Sequence, residues 1–260
     1  MKWILLRGWA REARHWGHFP DDLRAALPGA EVLALDLPGN GALSGRRSPA
    51  TVAEIVEVLH DAHQTGDGRV YLLGLSLGAM VCVEWAKRYA GEVAGCVLIN
   101  TSLRPFSRFY ERLRPQAYAT IVRHALFPTN SERREAAILR LTSASACADG
   151  TLVAAWAAYA NERPVSRANV LRQLLAAARY RASASPPPVP LLVLASRGDW
   201  LVNPACSISL ARAWQAPFAI HPDAGHDLTL DDGAWVTAQI AEWLRRRGAP
   251  ASDSAGASRP

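Results

Sequence analysis

Cysteine is scarce and scattered in this chain of 260 residues. Cys82, Cys96, Cys147 and Cys206 make no C-x-x-C pair. That argues against a disulfide framework and offers no zinc-ligand spacing, so reduced and mostly buried thiols are expected. Long apolar runs are missing as well: no stretch approaches the ~18 residues of a membrane span. The opening MKWILLRG has too short an apolar run before Arg7 for a secretory leader. A soluble, cytoplasmic protein is expected. Internal repeats are absent, and so is lysine over residues 102–185. That segment holds thirteen arginines against five acids, 13 − 5 = +8, while the whole chain carries +6 and the rest therefore −2. What the chain does have is apolar material, 50% of its residues, enough for one sizeable domain with a buried core.

The apolar residues come in short runs. WILLR (3–7), EVLALD (31–36), RVYLLG (69–74) and VAGCVLIN (93–100) are apolar on consecutive positions, as suits strands buried on both faces. VPLLVLASR (189–197) and APFAIHP (216–222) continue the series. Helical spacing lies between them: HFPDDLRAAL (18–27), SPATVAEIVEVLHDAH (48–63), LGAMVCVEWAKRYA (77–90), CSISLARAWQ (206–215) and DGAWVTAQIAEWLRRR (232–247). Strand and helix in alternation predict an α/β fold, about six parallel strands with helices on both faces. Residues 102–185 break the pattern, being rich in Ala, Arg and Leu, and predict an inserted helical cap. The expected division is a core of 1–101 and 186–247, a cap of 102–185, and a disordered tail of 248–260.

Within LLGLSLGAM (72–80), Ser76 stands between Gly74 and Gly78. G-x-S-x-G after a strand and before a helix predicts a sharp turn that lifts the serine hydroxyl above the sheet, where glycines avoid collisions across the turn. A serine needs a base. His226, in DAGHDL (223–228), follows the last strand at the sheet's carboxyl edge, where such sheets gather functional groups. Gly225 is expected to let its ring face Ser76, with His221 as the fallback. The base needs an orienting acid. Asp199, just past the strand 189–197, is the choice over Asp36, Asp227, Asp231 and Asp232.

The order Ser76, Asp199, His226, together with LLRGW (5–9), DLPGNG (36–41), GLSLG (74–78), RGDWLVNP (197–204) and AGHDL (224–228), resembles the α/β-hydrolase superfamily. The resemblance covers residues 2–247 and implies a serine hydrolase with a helical cap, cleaving carboxylic esters or thioesters through a catalytic triad and an acyl-enzyme. It also implies an oxyanion hole from the backbone N–H groups of Trp9 and Leu77. No metal or organic cofactor is called for. The motif departs from the family at Arg7, where histidine is usual. Arg7 either braces the loop, to Asp36 or a carbonyl, or offers a cation to the substrate. At ~6 Å and an effective dielectric of ~20 such a cation attracts an anion by roughly 3 kcal/mol before desolvation. LLRGWAREARHW is most similar to the capped carboxylesterases, a subgroup that includes an esterase acting on a pimeloyl-acyl-carrier-protein methyl ester.

The basic cap is ordinary solvation or a surface for an acidic carrier protein or a coenzyme A thioester. Nucleic acid is not expected, since the arginines are spread over several helices without a binding module. Phe106, Phe109, Tyr110, Trp156 and Tyr159 are candidates for the cap's inner, substrate-facing wall. Carbon–carbon bond hydrolysis, lyase or acyl-transfer chemistry on the same triad, and a non-catalytic ligand-binding role are the alternatives.

Overall fold

The computed structural model describes residues 1–63, 68–126, 130–146 and 148–248. Cys147 and the stretch from 249, expected to be disordered, lie outside these residues.

Chain order is β1 (Lys2–Leu6), α1 (Phe19–Ala26), β2 (Glu31–Leu35), α2 (Val52–Ala62), β3 (Val70–Leu75), α3 (Leu77–Arg88) and β4 (Val93–Ile99). Five helices follow: α4 (Phe109–Arg112), α5 (Pro115–Leu126), α6 (Ser131–Thr142), α7 (Gly150–Glu162) and α8 (Arg167–Arg179). The chain then returns through β5 (Leu191–Ser196), α9 (Ala205–Trp214), β6 (Phe218–His221), α10 (Leu228–Asp231) and α11 (Gly233–Gly248). The strands form one parallel sheet in the order β2-β1-β3-β4-β5-β6.

The consecutive apolar runs have the expected cause. Ile4, Leu6, Leu72, Cys96, Leu98 and Val193 face α2, α3 and α9 on one side of the sheet. Their neighbours Trp3, Leu5, Leu73, Val97, Ile99, Leu192 and Leu194 face α1 and α11 on the other. Alternate residues thus enter two separate cores, as a strand's period of two requires. One boundary differs from expectation. The helix expected from Ser48 begins at Val52, because the Thr51 hydroxyl accepts the Glu54 N–H and sets the start there. Among the described residues no helix is long and apolar enough to cross a membrane.

Two features of this topology place the site. The strand order reverses at β1: β2 lies on one side of it and β3 on the other. The loops after β1 and β3 therefore part at a crevice above the sheet, the usual ligand position in open α/β sheets. The β4–β5 insertion covers that crevice. Its two ends meet in a bridge between Arg104 and Arg181, where the Ala182 N–H donates to the Arg104 carbonyl at 2.7 Å.

Candidate active site

Ser76 occupies the turn between β3 and α3 with φ +57° and ψ −115°. A side chain in the left-handed region costs of order 1 kcal/mol or more, and such strain persists only where the surroundings hold it. Here the Ser76 N–H donates to the Ile99 carbonyl at 2.9 Å, and the Thr101 hydroxyl donates to the Ser76 carbonyl at 3.0 Å. The glycines act at different places. A Cβ on Gly74 would meet the Gly78 carbonyl carbon and the Ala79 nitrogen at 2.4 Å, across the turn. A Cβ on Gly78 would lie 2.0 Å from the Leu6 carbonyl oxygen, so this glycine admits β1 rather than the turn itself. Gly8 brings the β1 loop against the serine, its Cβ position being 3.3 Å from Ser76 Cβ.

Asp199 follows β5 and is 1% exposed. Its Oδ1 accepts the N–H groups of Leu201 and Val202, both at 2.8 Å. Its Oδ2 accepts from His226 Nδ1 at 2.7 Å. With the proton on Nδ1, His226 Nε2 carries a lone pair. Ser76 and His226 line one cavity of about 350 Å³. His221, the fallback base, belongs to another dyad. Its Nδ1 accepts the N–H groups of Asp223 and Ala224, so Nε2 bears the proton and donates to Asp232 at 3.2 Å. His221 does not line the cavity.

Gly225 has an ordinary φ; the positive-φ glycines lie elsewhere. Its role is close approach, since a Cβ there would come within 2.8 Å of the Thr142 carbonyl oxygen at the end of α6. The Asp227 N–H donates to that same oxygen at 2.7 Å. Asp231 adds to this joint, accepting from the Ser143 hydroxyl and from the N–H groups of Ala144 and Gly225.

Trp9 also lines the cavity, and its backbone N–H makes no hydrogen bond among the described residues. Leu77 opens α3, where a first-turn N–H has no acceptor within the helix. The Trp9 indole donates to the Val170 carbonyl at 2.8 Å, and the Ala10 N–H donates to Gln173 Oε1 at 2.9 Å. Gln173 in turn donates to Asn40 Oδ1 at 2.8 Å, and Asn169 accepts the Ser48 N–H at 2.9 Å. Two buried amides on α8 therefore seat the insertion on the loops after β1 and β2.

Arg7 is buried and donates through both terminal nitrogens to Asp227, at 3.0 and 2.5 Å. Its guanidinium lies 4.8 Å from the centre of the Trp16 ring. The partner expected for a bracing role was Asp36 or a carbonyl, but the Asp36 carboxylate accepts the N–H groups of Ala13 and Ala42 instead. Burial pushes the Asp227 carboxyl up, and the charge and hydrogen bonds of Arg7, with smaller help from His226 and Thr229, more than reverse this. The carboxyl ends below its usual range.

Of the aromatic candidates, Phe106, Phe109 and Tyr110 do not line the cavity. Phe106 packs edge-on against Trp214, 5.4 Å between centres. Phe109 is 78% exposed and Tyr110 40%. Trp156 and Tyr159 stand behind the wall, each edge-on to His15, which does line it. Arg11 lies over Trp156 and pairs with Glu135 of α6 at 2.5 Å; Arg14 lies over Tyr159 and pairs with Glu162 at 2.5 Å. Burial, then the charges of Arg11 and Arg7, push His15 well below the ordinary histidine range, so its ring is neutral. Its Nε2 accepts from Arg11 at 3.0 Å. The cavity wall includes apolar Ile121, Ile138, Leu141, Val165 and Val170, the carboxylates Glu12 and Glu135, and, on the insertion side, Arg134, Arg163 and Arg167.

Two residues that sequence reasoning missed hold the site together. Asn100, at φ +46° after β4, donates through Nδ2 to Ser196 Oγ and to the carbonyls of Gly225 and His226, and accepts the Ser196 N–H. Thr101 braces the serine turn. Their signal was polar residues directly after a buried strand at the functional edge. Among the described residues no group of three His, Cys, Asp or Glu is placed to hold a metal ion.

A sequence profile described as "Alpha/beta hydrolase family" matches residues 3–239. The chain is 33% identical over 230 residues, 85% of its length, to the biotin biosynthesis bifunctional protein BioHC of Cellvibrio japonicus. That match covers 43% of the relative, so the chain spans less than half of that protein's length. Among solved structures, a thermophilic esterase from Thermogutta terrifontis superimposes with TM-score 0.72 at 23% identity, over 95% of this chain and 90% of that one. The enol-lactonase from Burkholderia xenovorans LB400 does so with TM-score 0.74 at 20% identity, over 94% and 91%. At these identities the superpositions speak for the fold.

Proposed function

The chain belongs to the alpha/beta hydrolase family, and from that premise we propose that it is a serine hydrolase of carboxylic esters, thioesters included. Ser76 Oγ attacks the acyl carbon while His226 Nε2 takes its proton. Asp199 holds the ring in the tautomer that leaves Nε2 free and stabilises the imidazolium. The N–H groups of Trp9 and Leu77 receive the tetrahedral oxyanion, each such donor being worth about 10²–10³ in kcat. His226 returns the proton to the departing alcohol or thiol, then activates water against the acyl-enzyme.

One observation carries this reading. The Nδ1–H···Asp199 bond of 2.7 Å fixes the histidine tautomer, and that histidine shares a cavity with a serine held at positive φ. A fluorophosphonate probe tests it. The wild-type protein is expected to label at Ser76 and Ser76→Ala not to label. Absence of labelling of the wild type at neutral pH would replace the hydrolase with a non-catalytic ligand-binding protein. A panel of p-nitrophenyl and methyl esters, run beside a carbon–carbon substrate, separates ester cleavage from the other chemistries of such a triad.

We also propose that the acyl group arrives on an acidic carrier, a carrier protein or coenzyme A. Supporting this are Arg134, Arg163 and Arg167 on the insertion side of the cavity and the similarity to a protein named for biotin biosynthesis. A steered encounter predicts that kcat/KM for a carrier-bound ester falls steeply with salt while that for a neutral p-nitrophenyl ester does not.

A further inference from the structure

The cavity holds a buried charge pair that the chemistry above leaves unused. Arg7 directly follows β1, immediately before the oxyanion loop, and Asp227 follows the base directly in the chain. Their side chains are 3% and 4% exposed, and the pair is bidentate. Both residues line the same cavity as His226 and Ser76. Both charges are almost fully buried, so water screens them only weakly from the imidazole on the same cavity wall. Thr229 donates to Asp227 Oδ1 at 3.1 Å, and the Trp16 ring lies 4.8 Å from the Arg7 guanidinium, which leaves both charges in fixed positions.

We propose that the Arg7–Asp227 pair is a positioning unit for the base, in which each charge cancels the field the other would impose on His226. The inference rests on His226 being the base. Asp227 alone would hold a proton on the ring and so block it as an acceptor from serine. Arg7 alone would do the opposite, making the ring too weak a base. Together they leave Asp199 as the one uncompensated charge in contact with the ring. Of the other charged groups that line the cavity, Arg163 pairs with Glu162 and Arg167 lies on the insertion side. Arg11 of the β1 loop pairs with Glu135 of α6, which Arg134 also contacts. Glu12 pairs with Arg14. His15 is neutral. Arg114, ahead of α5, donates to the Asp199 carbonyl at 2.7 Å.

The test reads the ring directly. Protein labelled with ¹³C-histidine is titrated by NMR, with the His226 signal assigned by its loss in His226→Gln, so no turnover is required. In Asp227→Asn the uncompensated arginine is expected to lower the His226 midpoint by about one unit. In the double variant Arg7→Gln/Asp227→Asn both charges are gone, and the midpoint is expected to return to within about 0.3 of wild type. A role in packing alone would change melting temperature and leave the midpoint still. An Asp227→Asn midpoint equal to that of wild type, or a double variant displaced as far as the single one, overturns the proposal. If Asp227→Asn does not fold, Arg7→Gln carries the reverse test: an upward displacement supports the pair's role, and a midpoint unmoved or lowered removes it. Fluorophosphonate labelling of the same samples reports separately on the hydrolase reading, so the two failures are distinguishable.

Discussion

Replacing Asn100 with alanine removes the joint between β4, β5 and the loop that carries His226. The side chain makes contacts of 2.9 Å to Ser196 Oγ, 2.9 Å to the His226 carbonyl and 3.3 Å to the Gly225 carbonyl, and accepts the Ser196 N–H at 2.8 Å. Three of these are short, and at about 1 kcal/mol net each they contribute ~3 kcal/mol. Ser196 is fully buried, so its orphaned N–H adds upward of ~1 kcal/mol. The φ of +46° suits asparagine better than alanine by about another 1 kcal/mol. The expected loss is ~5 kcal/mol, a fall in Tm of roughly 10–20 °C for a domain of this size. Calorimetry on the wild type, Asn100→Ala and Asn100→Gly measures it. Glycine relieves the backbone part and is expected to melt above alanine by a few degrees. An Asn100→Ala protein melting within about 3 °C of wild type would refute the reasoning, because water or a relaxed loop would then be replacing all four bonds.

Gly78→Ala is expected to unseat β1, since the new Cβ falls 2.0 Å from the Leu6 carbonyl oxygen, whereas Gly91→Ala, with open space around it, is expected to leave Tm within a degree or two. Arg11→Ala is expected to cost about 2–3 kcal/mol, because Glu135 is buried; amide exchange in α6 reads it. His15 is held neutral in the fold, so below its ordinary value of 6.5 the unfolded chain binds a proton that the folded one refuses. Stability from this group is present above that pH and is lost as pH falls further. His15→Gln is expected to flatten the decline between pH 6.5 and 5 in denaturant melts, and an unchanged slope would assign the decline to other groups. Burial raises the thiols of Cys82, Cys96 and Cys206, the last to about 11, so iodoacetamide at pH 8 is expected to modify them only after denaturation, as mass spectrometry can show.

The sheet was legible because its central strands are apolar on consecutive residues, a pattern that burial on both faces dictates. Ser76, Asp199 and His226 stood out for a related reason: each follows such a run, where the chain leaves the core at the carboxyl edge. Partners far apart in the chain were not legible. Arg7 and Asp227 are separated by 220 positions, and nothing local to LLRGW says which acid arrives there. Asn100 did not stand out because triad chemistry asks for an acid, while the joint after β4 uses an amide. The aromatic wall misled because Phe109 and Tyr110 sit on a helix of four residues, too short for periodicity to choose a face. Trp156 and Tyr159, three apart on a helix of thirteen residues, do share a side, and it is the side toward Arg11 and Arg14.

The seating of the insertion has a consequence for anyone recombining such proteins. A cut at residues 101 and 186 follows the chain's own seam, yet it would part Trp9 from Val170, Gln173 from Asn40, and both stacked arginines from their carboxylates. A foreign module grafted at that seam would meet one cation, Arg11, and several carbonyls with nothing to answer them. The portable unit is discontinuous: residues 7–16 and 36–48 would have to travel with the helices that rest on them.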